Sequence, residues 1–97
     1  MASSVEYKDY ILEQLNLIDN ITCKKMMGEY LLYNDHVLFG GIYDDRLLVK
    51  KTDTNKKFNM KEQIPYKGAK KMYFVEEVDN KKVLKNIVIE TCKGLKL

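Results

Sequence analysis

The sequence is poor in the groups that carry out chemistry. Its one histidine, His36, follows Asn34-Asp35, a stretch with turn chemistry. General acid–base catalysis needs a partner and a cleft, and a turn tip offers neither, so His36 reads as an exposed turn residue. Of the 17 Lys and Arg residues Arg46 is the only arginine. Arginine is the side chain preferred for bidentate phosphate and base contacts, which weighs against nucleic-acid recognition. The two cysteines, Cys23 and Cys92, lie far apart and in no Cys-x-x-Cys pair. Each reads as a reduced, small, buried apolar residue rather than half of a disulfide or a metal ligand. Gly40-Gly41 is not followed by Gly-Lys-Ser/Thr and is no phosphate loop; it reads as a bulge or a place where another backbone comes close. Asp44-Asp45 and His36 supply too few ligands for a metal. No nucleophile signature occurs, so neither an enzyme, a cofactor, a metal nor a small-molecule substrate is expected. No apolar run approaches the roughly 18 residues of a membrane span. The start, MASSVEYKDY, lacks the basic and apolar stretches of a secretory signal. A cytoplasmic protein with no membrane partner is expected.

What is present suits one domain over residues 1–97, with 45% hydrophobic and 32% charged residues. The net charge of +3 is unevenly spread. Residues 46–71 carry nine basic residues against Asp53 and Glu62, a local +7, and the remainder, with eight basic and twelve acidic residues, is −4. Such asymmetry can mark an electrostatic binding face.

Ser3 with Glu6 predicts a capping box at the start of a helix over 4–17, with Tyr7, Ile11, Leu15 and Ile18 on its buried face. Strands are predicted over 21–27, 29–33, 37–43 and 46–51, separated by Gly28, Asn34-Asp35-His36 and Asp44-Asp45. Thr52 or Asp53 would cap a short helix through Met60; Pro65 opens an extended segment, and 70–77 is a further strand. Asp79 would cap a last helix over 80–93, with Leu84, Ile87, Val88, Thr91 and Leu95 as its stripe. The predicted class is α+β: a two-layer domain with a largely antiparallel sheet, in the order helix, three or four strands, helix, one or two strands, helix.

A sheet with one wet face alternates apolar and polar residues. Here Tyr30-Leu31-Leu32-Tyr33, Val37-Leu38-Phe39, Leu47-Leu48-Val49 and Met72-Tyr73-Phe74-Val75 are apolar on both faces. Part of the second face is therefore expected to be covered by another chain, most simply a second copy. Tyr30, Leu31, Tyr33, Phe39, Leu48 and Tyr73 are the candidate partner or self-association residues. The alternative is a weak, sequence-independent nucleic-acid contact through Lys50, Lys51, Lys56, Lys57, Lys67, Lys70 and Lys71.

Lys24-Lys25-Met26-Met27-Gly28-Glu29-Tyr30-Leu31-Leu32-Tyr33 resembles the basic-basic-Met-aromatic-Gly-Gly-Tyr-Gly-Leu-Tyr signature of the TfoX/Sxy N-terminal domain family. The likeness continues through Asp44-Asp45-Arg46-Leu47-Leu48-Val49-Lys50, Pro65-Tyr66 and Met72-Tyr73-Phe74 to the helix start at Val78-Asp79. Met27 and Glu29 stand where the signature has an aromatic residue and a second glycine. The change to Glu29 indicates a backbone with no positive φ there. The resemblance implies a secretion-chaperone-like two-layer fold. It also implies a bacterial, non-enzymatic regulatory or protein-interaction module, like the N-terminal domain of competence-type transcriptional co-regulators that act with a cyclic-AMP receptor protein. Those regulators carry an additional C-terminal domain, and a stand-alone short member is expected here.

Overall fold

Three tight turns in succession shape the first half of the chain. In a computed structural model that describes residues 2–96, strands β1 (Ile21–Met26), β2 (Glu29–Asn34), β3 (Val37–Ile42) and β4 (Leu47–Val49) follow one another as hairpins. Their turns, Met27-Gly28, Asp35-His36 and Asp44-Asp45, all have positive φ, between 49° and 84°. That twist matches the twist of paired strands. Asp and His tolerate it well and glycine best, whereas Met27 is an unusual occupant. Glu29 has no positive φ, as its substitution for glycine implies.

The sheet is completed by β5 (Lys61–Gln63) and β6 (Met72–Phe74), in the order β1-β2-β3-β4-β6-β5 with every neighbouring pair antiparallel. Helices α1 (Val5–Gln14) and α2 (Lys81–Leu95) lie on one face. There Ile11 and Leu15 join Leu84, Ile87, Val88 and Cys92 over Tyr30, Leu32, Phe39, Ile42, Leu47 and Val49 in one core. The fold is α+β, two helices on a six-stranded antiparallel sheet.

Local chemistry moves several boundaries. Ser4, not Ser3, caps α1, its hydroxyl accepting from the Tyr7 N–H at 3.1 Å. Ser3 turns to the sheet instead. Its N–H and hydroxyl donate to Glu29 Oε1 at 3.0 and 2.7 Å, and its oxygen accepts from the Asp45 N–H at 3.0 Å. Asn80, not Asp79, caps α2 by accepting from the N–H groups of Lys82 and Val83 at 3.1 Å; Asp79 takes the Tyr10 hydroxyl. The register between β2 and β3 steps from Leu32–Gly40 to Tyr33–Leu38, leaving Phe39 as a bulge beside the glycine pair.

The predicted helix over 52–60 does not form. Only a 3-10 turn, Lys56–Phe58, occurs, ended by left-handed Asn59, and β5 follows at once. The reason is a buried polar hub. Asn55 is fully buried: its Nδ2 donates to the Lys50 carbonyl and to Thr91 Oγ1, both at 2.8 Å, while its Oδ1 accepts from the Thr52 N–H at 2.9 Å. These bonds hold 50–55 as a loop against α2. Asn55→Leu fills a similar volume but takes a partner from the buried Thr91 hydroxyl and from the part-buried Lys50 carbonyl and Thr52 N–H. It is expected to cost about 2–3 kcal/mol, read as a lower urea midpoint at unchanged slope; an unchanged midpoint would refute the hub.

Candidate functional site

Residues opposite one another in an antiparallel ladder share a face. The pairs Cys23–Leu32 and Tyr30–Ile42–Leu47 look toward the helices, and Lys24–Leu31–Gly41–Leu48 and Thr22–Tyr33–Leu38 look away. Neither helix covers this second, open face. The six aromatic and aliphatic candidates from the sequence therefore do not form one surface. Tyr30 and Phe39 belong to the helix-side core, and Tyr73, opposite Val49, packs against it. Leu48 lies on the open side but is fully buried. Leu31 and Tyr33 alone of the six share the open face with accessible surface.

Tyr43 extends that face. A Cβ on Gly41 would stand 2.6 Å from the Tyr30 carbonyl oxygen and 2.7 Å from the Tyr43 ring. The glycine thus lets the tyrosine lie back over the sheet. Burial raises the Tyr43 phenol above its ordinary pKa, with Tyr66, Glu29 and Tyr33 adding to the shift, so it stays neutral near pH 7.

The single arginine brings the remaining wall. Arg46 Nη1 donates to Gln63 Oε1 at 2.8 Å and to the Ile64 carbonyl at 3.3 Å. Its Nη2 donates to the Pro65 carbonyl at 3.3 Å, and its Nε to the Tyr43 carbonyl at 3.2 Å. These bonds place Tyr66, 64% exposed, with its ring centroid 6.2 Å from that of Tyr43. The two tyrosines border two hollows. One, of about 610 Å³, is walled by Ala2, Met26, Met27 and Leu31. The other, of about 540 Å³, is walled by Leu38 and Met72 and by Lys50, Lys51, Lys70 and Lys71.

The basic set is divided by the fold. Lys56 pairs with Asp53, and Lys57 with Glu90, beside α2 and away from this face. Lys51 bonds Glu62, holding that carboxyl below the usual carboxylate range, and Lys71 lies 3.9 Å from the same group. Among the described residues no acidic partner lies within 4 Å of Lys50, Lys67 or Lys70. His36 sits exposed in its turn. Burial raises the thiols of Cys23 and Cys92, which favours the unreactive protonated form. Among the described residues no three His, Cys, Asp or Glu side chains gather as metal ligands, and no helix is long and apolar enough to cross a membrane.

Sequence reasoning missed Met26, Met27, Tyr43 and Tyr66. A two-residue turn pairs the residues that flank it, Met26 with Glu29, so counting back from Leu31 through Glu29 would have placed Met26 on its side. The bulge at Phe39 breaks that count before Tyr43, and Tyr66 reaches the face only through Arg46. Arg46→Lys keeps the charge and loses the fork of donors. It is expected to cost about 1–2 kcal/mol and to speed amide exchange over 64–69 while leaving that of Tyr30–Leu32 unchanged. Equal protection in both segments of the variant and the parent would refute the clamp.

A relative from Spirochaeta aurantia, an uncharacterized 12.7 kDa protein in the trpE 5′ region, is 32% identical over 80 residues, covering 80% of this chain and 70% of its own. The TfoX N-terminal domain matches residues 13–90, from the end of α1 through most of α2 and including β1, β2 and the Arg46 clamp. The chain belongs to the TfoX N-terminal domain family.

Proposed function

We propose that this chain is a non-enzymatic regulatory module that works by binding another protein, or a second copy of itself, through the open sheet face. The observation that carries this reading is an apolar surface with no folding task. Met26, Met27 and Tyr66 are exposed around half-buried Leu31, on the side of the sheet that the helices leave bare. Contiguous apolar surface of this kind marks interaction sites. Met27 adds a second reason: it is 96% exposed and holds a left-handed φ of 52°, a strained position for a side chain that contributes nothing to the core. Family membership supports a competence-related regulatory role, that of the co-regulators for which the family is named.

The lysine-lined hollow favours a second reading, weak binding of nucleic acid. Lys50, Lys51, Lys70 and Lys71 with nearby Lys67 could neutralise only a few phosphates. The slope of log affinity against log salt would then be no steeper than about −4.5 on duplex DNA. Fluorescence anisotropy of a labelled duplex from low to physiological salt measures it, and no binding at low salt removes this reading.

Leu31→Glu tests the main one. The wild-type chain is expected to self-associate in light scattering at roughly 50 µM or to retain a protein from a lysate of its own cells. The variant is expected to lose that association with an unchanged far-ultraviolet spectrum. A wild-type monomer that retains nothing would sink the proposal.

A further inference from the structure

The open face is chemically divided, and the division specifies what it can hold. On one side of the Tyr43–Tyr66 pair, Met26, Met27 and Leu31 make a soft apolar hollow with no basic residue in its wall. Methionine adapts its shape to irregular partners. Its one acid, Glu29, is already engaged by Ser3 and by the Asp44 N–H at 3.1 Å. On the other side, four lysines line the hollow with no acid among them. Glu62 serves both Lys51 and Lys71, and Lys50 and Lys70 have no carboxylate within 4 Å among the described residues.

We infer that this face binds an acidic peptide segment with a large apolar anchor, the anchor entering the methionine half and the carboxylates lying against Lys50 and Lys70. This inference rests on the protein-interaction reading above and names the partner's chemistry. Charge complementarity sets the choice. Nucleic acid carries a charge on every residue and needs a basic track along its whole length, but the wall of the methionine half has no basic residue, and Lys24, opposite Leu31 on the same face, is a single charge rather than a track. The one arginine, which would be the best phosphate ligand, spends its donors on Gln63, Ile64 and Pro65. A second copy docked by a two-fold axis would meet the same patch. Lys50 and Lys70, with no carboxylate within 4 Å among the described residues, would gain none from a second copy of the two hollows, whose one lining acid, Glu29, is already engaged, and like charges across an interface are costly. An acidic, apolar-anchored segment answers both halves at once.

The test is display selection of randomised peptides of about 12 residues on the full chain, followed by anisotropy of the best labelled peptide. Selected sequences are expected to place at least two Asp or Glu residues within about four positions of Phe, Leu, Met or Trp. Their affinity is expected to fall about tenfold or more in the double variant K50E/K70E and in L31E, and to fall with added salt for the parent chain. Both lysines are exposed, and circular dichroism verifies that the variants are folded. Neutral or basic winners, or affinity unmoved by K50E/K70E, overturn the acidic assignment and leave the interaction reading standing. No selected sequence at all, with no self-association, overturns both. A labelled (dT)12 strand that binds the parent and is released by K50E/K70E, with no acidic peptide selected, would assign the lysines to nucleic acid instead. Self-association that L31E abolishes, again without acidic winners, would assign the face to a second copy.

Discussion

The Arg46 guanidinium determines the shape of the open face. It spans from the Tyr43 carbonyl at the β3–β4 turn to Gln63, Ile64 and Pro65 at the end of β5. Those two regions are separated by the Asn55 loop and the 3-10 turn, and β6 lies between β4 and β5 in the sheet. Four donors on one rigid group fix both ends together, which a lysine's single ammonium cannot reproduce. Because Pro65 is held, Tyr66 stands beside Tyr43, and the chain that follows delivers Lys70 and Lys71 to the same side. The face is thus built from two distant pieces of sequence, hairpin strands and a clamped loop.

Much of the fold follows from short-range chemistry and could be read directly. Asn34-Asp35-His36 and Asp44-Asp45 announce turns because Asn and Asp accept left-handed backbone, and the hairpins form there. The stripe Leu84, Ile87, Val88, Thr91 and Leu95 announces the buried side of α2; the first four are buried and Leu95, in its last turn, is partly buried against the core. The failures are equally physical. Thr52 and Asp53 look like a helix start, but Asn55 is satisfied by Lys50 and by Thr91, 36 residues away. No local pattern reports a partner at that distance. Ser3 and Glu6 fit a capping box, yet Ser3 is claimed by Glu29 and Asp45 across the sheet. In both cases a tertiary hydrogen bond displaced a local one.

The candidate site was legible as a fact about composition and illegible as a set of residues. Strands apolar on both faces raised the expectation of a second face covered by another chain, and the fold leaves one face without a helix over it. Assigning residues to faces requires register, and Tyr30 and Leu31 go to opposite sides with nothing in their chemistry to say which. The bulge at Phe39 then shifts the parity of everything after it in β3. The basic segment was misleading in a similar way. Its charge is real, but Lys56 and Lys57 are carried off to α2, and Arg46 is consumed by structure.

The sheet edges constrain how a partner can approach. β1 and β5 are the outermost strands, and an unpaired edge is a template for adding a strand. Both edges resist that use. β1 carries Lys24 and Lys25, and β5 is three residues long with Lys61 and Glu62 exposed. Charged and short edge strands are how sheets avoid unwanted pairing. On the proposed reading, an incoming chain is steered away from the edges and onto the open face. There the turn residue Met27, strained and almost wholly exposed, stands at the apolar end, and Lys50 and Lys70, without an acidic partner within 4 Å among the described residues, stand at the other. Recognition across a face, by side chains rather than by backbone ladder, makes specificity a matter of which side chains the partner presents. If the open face is the docking site proposed above, the scaffold sets where a partner lies, and the side chains on that face decide which partner it is.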